Sequence, residues 1–158
     1  MANTQSMTTS FMGELLTATH NFGTAPTRGT SAADTFKAAL YLASATINAS
    51  TTAYTVSGEV SGAGYSAGGI VVTNATPPTA TNASATAGVA FFTPSASLVY
   101  TSVTLTTAFD AVLIYNSTQS NKAVSVHTFG SQTITAGTFT LTMPVNNTTT
   151  ALLRLATT

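Results

Sequence analysis

Apolar and polar residues along this chain alternate mostly with a period of two, and with a period of three to four in only one place. That place is 10–22, where Phe11, Leu15, Ala18 and Phe22 recur at three- and four-residue spacing and predict one amphipathic helix. Ser10 is expected to cap its first turn, Glu14 to favour the positive helix end, and Gly23 to stop it in a left-handed conformation. His20 falls near the last carbonyls of that helix, where a cation is mildly favourable. In 35–42 the pattern changes: Phe36, Ala38, Leu40 and Leu42 share one face while Lys37 and Tyr41 share the other, the repeat of a half-buried strand. Further extended segments are predicted at 70–73, 97–103, 108–115, 123–129, 138–143 and 151–155, rich in Thr, Val, Tyr and Phe.

Turn chemistry separates these segments. Asn116-Ser117-Thr118-Gln119-Ser120-Asn121 is suited to close a hairpin, Gly130 and Gly137 are expected to bracket a connection, and Pro144-Val145-Asn146-Asn147 to end a strand. Gly58, Gly62, Gly64, Gly68 and Gly69 imply tight turns or a bulge ahead of 70–73. The stretch 24–33 reads as a loop. The stretch 75–93, poor in large side chains and holding Pro77 and Pro78, reads as a long excursion, and such loops tend to serve binding. Many short strands at this spacing indicate an all-β, antiparallel β-sandwich, jelly-roll or immunoglobulin-like, with one N-terminal amphipathic helix. At 158 residues one domain is expected over 1–158, with an arm and helix in 1–23 and the sandwich in 34–155.

Composition narrows the functional classes. Only Glu14, Arg28, Asp34, Lys37, Glu59, Asp110, Lys122 and Arg154 carry formal charge, and the signs cancel. A neutral chain sets up no long-range field toward nucleic acid or anionic lipid, so partners are held by short-range contact. Hydrophobic residues make up 44% of the chain, enough for an ordered interior. No apolar run approaches the roughly 20 residues that cross a bilayer, and the first ten residues lack the pattern of a secretory signal. We therefore expect a soluble chain that is not exported by that route and has neither nucleic acid nor membrane as partner. There is no cysteine, so disulfides, thiolate nucleophiles and the usual structural zinc sites are excluded.

Candidate chemistry is thin. Gly64-Tyr65-Ser66-Ala67-Gly68 spells G-x-S-x-G and is followed in chain order by Asp110 and His127, the order of an α/β-hydrolase triad. A nucleophile elbow needs a strand before the serine and a helix after it, whereas Gly68-Gly69 lead into the β-branched run Ile70-Val71-Val72-Thr73. Serine hydrolase is therefore the third reading, and no catalytic residue is assigned. Asp110 interrupts an apolar strand and needs an edge or a partner, with Lys122, Arg154, His127 or Lys37 as candidates; a structural ion pair or bonding to backbone amides is the expected outcome. His127 is expected to point outward from its strand as a structural histidine. Two distant histidines and four scattered carboxylates form no familiar ligand set, so no metal and no cofactor is expected. The tyrosines suit interfaces, where the ring buries area and the hydroxyl stays bonded.

Four segments carry a resemblance: Phe11-Met12-Gly13-Glu14-Leu15-Leu16, the run from Ala33 through Tyr41, Gly64 through Gly69, and the block from Asp110 to Pro144. In order and wording they resemble small virion structural proteins of tailed bacteriophages, over about 11–155. What the resemblance implies is a particle component, made in the host cytoplasm and released by lysis into the virion. The neutral composition favours the outer face of the capsid over a position against packaged DNA. The expected role is a decoration or cement protein held by the major capsid protein and by copies of itself as a homo-oligomer. A tail, neck or fibre part that adheres to host glycans is the alternative.

Overall fold

A computed structural model describes residues 2–22, 33–73, 78–81, 88–94 and 96–156. Its order is β1 (Ser6–Met7), α1 (Thr9–Leu16), β2 (Phe36–Leu42), β3 (Ile70–Val72), β4 (Thr79–Ala80), β5 (Val89–Phe92), β6 (Leu98–Asn116), β7 (Lys122–Leu141) and β8 (Leu153–Ala156). These form a five-stranded sheet, β1-β7-β6-β2-β3, and a three-stranded sheet, β4-β5-β8. Every pairing is antiparallel. The chain is thus an all-β, sandwich-like fold with one short N-terminal helix.

The helix is shorter than its periodicity predicts. Ala18, at φ 52, takes the left-handed stop expected of Gly23, which lies outside the described residues. Thr19 N–H donates to Glu14 O and Ala18 N–H to Leu15 O, the paired bonds of a Schellman ending. The early stop lets the chain reverse, so Phe22 enters the core beside Phe36 at 4.2 Å between ring centroids and beside Phe92 at 5.2 Å. Thr8, not Ser10, stands at the cap position. Its hydroxyl donates to Ala123 O and Val124 O instead of serving the helix, which fastens the helix start to β7.

The expected half-buried strand at 35–42 is buried on both faces. Phe36, Ala38 and Leu40 join the main core, while Ala39 and Tyr41 join a second cluster with Ile47, Leu113, Tyr115 and Val126. The connection 43–60 folds back over that second face, tied down by Leu42 N–H to Gly58 O, Val60 N–H to Leu40 O and Ala123 N–H to Thr52 O. Each large apolar side chain enclosed this way stabilises the fold by about 1.5–3 kcal/mol.

Two pairs of expected strands fuse. The segments 97–103 and 108–115 are one 19-residue strand, β6, and 123–129 and 138–143 merge into the 20-residue β7. Gly130 and Gly137 lie inside β7 and bracket no connection. The β-branched and hydroxyl residues around them keep the backbone extended, and the ladder absorbs the irregularity as register shifts, with Ala136 at φ 47. The hairpin at Asn116–Asn121 forms as expected. The excursion at 75–93 is no plain loop: it contributes β4 and β5, which pair with each other and, through β5, with β8; residues 75–77 and 82–87 of it lie outside the described residues.

Candidate functional site

Five of the charged residues, Glu14, Asp34, Glu59, Asp110 and Lys122, are held by internal bonds. Lys122 Nζ donates to Glu14 Oε1 at 2.5 Å, and His20 Nε2 lies 2.7 Å from Glu14 Oε2. Burial alone would raise the Glu14 carboxyl; the bonds from Lys122 and His20 outweigh it and hold the group below its usual value. Asn116, fully buried, donates through Nδ2 to Asp34 Oδ2 at 2.7 Å, while its Oδ1 accepts from Thr118 N–H and Gln119 N–H. Those bonds fix the amide, so the 3.0 Å contact of Nδ2 with His20 Nδ1 makes that ring nitrogen the acceptor. The ring proton then sits on Nε2 and points at Glu14. Asp34 also accepts from Asn21 N–H and Gln119 Nε2. One chain of bonds thereby ties helix, β2 and the β6–β7 hairpin together.

Glu59 forms a second network. It is 7% exposed and accepts from Tyr54 OH (2.6 Å), Tyr65 OH (2.7 Å) and Gly68 N–H (2.7 Å). No ion pair among the described residues involves it, so these three donors replace water around the carboxylate. The phenols also hold backbone: Tyr65 OH accepts from Leu40 N–H, Tyr115 OH donates to Gly68 O, Tyr100 OH to Ala38 O and Tyr41 OH to Thr55 O. Burial, reinforced by Glu59, pushes Tyr54 and Tyr65 well above the ordinary phenol range, and Tyr41 up to about 12. Spacing and residue type alone assign Glu59 no role. The visible signal was a single carboxylate in a glycine-punctuated stretch with a tyrosine on either side.

The hydrolase constellation is not brought together. Ser66 is exposed in the turn before β3. Asp110 accepts from Asn3 Nδ2 at 2.6 Å, so its partner is a neutral amide from the N-terminal arm, not one of the cations expected of it. His127 Nε2 meets Ser125 Oγ at 2.9 Å. Among the described residues, Ser66, Asp110 and His127 share no hydrogen bond. His127 is also half-buried rather than outward, and burial lowers its pKa to about 4. No group of three His, Asp or Glu among the described residues is placed to hold a metal ion. No described helix is long and apolar enough to cross a membrane.

Most of the described surface is uncharged, with Arg154 the exposed exception. A recess of about 340 Å³ between β7 and 141–152 is walled by Val112, Ile114, His127, Leu141 and Met143, and a second of similar size adjoins it beside Gln5, Ser125 and Arg154. On the helix, Met12 and Leu16 are exposed, Leu16 to 90%. An apolar cleft of about 100 Å³ runs between Phe11, Leu15 and the β5–β8 strands. Among the described residues, no strand lies beside the outer edge of β7 beyond Val126. Of the excursion read as a binding element, the described residues 78–81 and 88–93 carry no charged side chain. No family model matches the sequence, and no curated protein and no solved structure matches it.

Proposed function

We propose that this protein is a structural component of a bacteriophage particle, a decoration or cement subunit on the outer face of the head. The observation that supports it best is the fate of the charges. Glu14, Asp34, Glu59, Asp110 and Lys122 are all engaged in internal bonds. Few charges are left for the exterior, exposed Arg154 and half-buried Lys37 among the described residues, so its contacts are chiefly of the apolar and backbone kind that salt does not screen. The resemblance to small virion proteins points the same way. The partners are the major capsid protein and further copies of this chain.

The mechanism is mass action. A subunit that binds the assembled shell and not its separated parts stabilises the shell at every copy bound. Heating capsids that lack the protein, with and without saturating purified protein, tests this: the rupture temperature rises on addition, and the rise persists at high ionic strength. An unchanged rupture temperature, or labelled protein confined to the tail of intact particles, overturns the assignment.

A further inference from the structure

The longest open edge among the described residues belongs to β7. β1 covers only Ser125 and Val126, and β6 holds the opposite side throughout, so from 128 to 141 the outward N–H and C=O groups have no partner strand. The other edge strands are short: β3 has three residues, β4 two and β8 four. An open edge is a template for another strand, and monomeric proteins guard it with lysine, proline or brevity. This edge lacks those three guards, although register shifts against β6 make it irregular. Between Lys122 and Arg154 there is no charged residue, and no proline precedes Pro144.

About Ile134, three of the six flanking pairs of positions carry the same residue on either side. Thr133 and Thr135 flank it, Phe129 and Phe139 stand five residues away on either side, and Thr128 and Thr140 six. The rings of Phe129 and Phe139 already meet within one chain, 5.1 Å between centroids. Turned through a two-fold axis at Ile134, the strand sets Phe129 of one copy opposite Phe139 of the other, and Thr133 opposite Thr135. Aromatic and threonine pairs of this kind are favourable cross-strand neighbours. The irregular residues correspond as well: Ala136, at φ 47, falls opposite Gln132, where the register against β6 shifts. A straight strand from an unrelated protein offers no such correspondence. The paired span ends at 128 and 140, clear of β1.

We propose that β7 pairs antiparallel with β7 of a second copy about Ile134, making a two-fold dimer with one sheet continuous across both subunits. This goes beyond the particle assignment and does not depend on it, since it is tested on the isolated protein.

Thr133 and Thr135 are exposed, so lysine at both is tolerated by the fold yet sets like charges opposite each other across the axis. By sedimentation, the native protein is expected to be dimeric, and Thr133→Lys with Thr135→Lys to weaken dimerisation at least about tenfold. Thr133→Lys with Thr135→Glu places opposite charges across the same axis and restores it. The chain has no cysteine, so nitroxide labels on single cysteines at Gln132, Thr135, Thr138 and Thr140 give one distance each. Separation is expected to be least nearest residue 134 and to grow toward 140, with the bend that brings Phe129 and Phe139 of one chain together keeping the growth well below that of a straight strand. A native monomer at every concentration, a distance minimum outside this edge, or a Lys/Glu variant as weak as the Lys/Lys one overturns the proposal.

Discussion

Glu59 shows how one residue organises a region in which glycine and small polar side chains offer little to pack. Its two carboxylate oxygens collect Tyr54, Tyr65 and the Gly68 amide, drawing together three points between 54 and 68. Glu59→Ala leaves three donors without an acceptor, and we expect a loss of about 3 kcal/mol or more in unfolding free energy, measured by urea titration. Glu59→Gln keeps the oxygen that serves Tyr65 and Gly68 and requires only that Tyr54 reverse its hydroxyl, so its loss is expected to be less than half as large. Equal losses for the two variants would mean that the side chain acts by volume alone. None of this was legible beforehand, because a carboxylate accepting from residues five, six and nine positions away has no periodic signature. The same holds for Asp110: its need for a partner followed from the apolar residues around it, but the identity of Asn3, more than a hundred residues away, did not.

At the scale of elements, the glycines between 58 and 69 matter for close approach as much as for turning. A Cβ on Gly69, whose φ is 69°, would lie 1.7 Å from Ala38 O, and one on Gly64 would lie 2.2 Å from Ser102 O. These two residues let the loop lie flat against the backbones of β2 and β6. Gly69→Ala must lift the loop off β2 and carry the Glu59 network with it; we expect a fall in urea midpoint at least as large as that of Glu59→Gln, whereas Gly130→Ala, with open space around it, stays close to native. The position of these glycines was readable as a break in pattern, but their packing role was not. The helix illustrates the same division. The spacing of Phe11 and Leu15 announced it, yet its end was decided by the bonds His20 and Phe22 make once the chain reverses at Ala18.

For the whole molecule, the buried titratable groups set a pH profile with two sloping limbs. His127 is held at about 4 by burial against 6.5 when free, so between those values the unfolded chain takes up the proton first and stability falls as pH falls. Glu14, lowered from 4.5, adds a further loss below that value as its bonds to Lys122 and His20 are broken by protonation. On the alkaline side, Tyr41, Tyr54, Tyr65, Tyr100 and Tyr115 are all raised above 10.0, so the unfolded chain ionises first and stability falls as pH rises past that point. Urea midpoints measured across pH should therefore be highest between roughly 6.5 and 10. His127→Gln is expected to flatten the limb between 6.5 and 4 while leaving the alkaline limb in place. A native profile that is flat through that range would contradict the buried, neutral imidazole.

Local chemistry was enough to determine that this chain is antiparallel β with one leading helix, that Asn116–Asn121 closes a hairpin, and that few charges are available to the exterior. Each of those follows from residue type and spacing within a few positions, where backbone sterics and hydrophobic period act directly. Tertiary structure alone decided that 43–60 buries the second face of β2, that four expected strands fuse into β6 and β7, and that 75–93 supplies strands of a second sheet. It also decided which charges are sequestered and which edge is left open. Those outcomes depend on pairing between segments tens of residues apart, and the free energy of such pairing is a property of the closed fold that no local window of sequence contains.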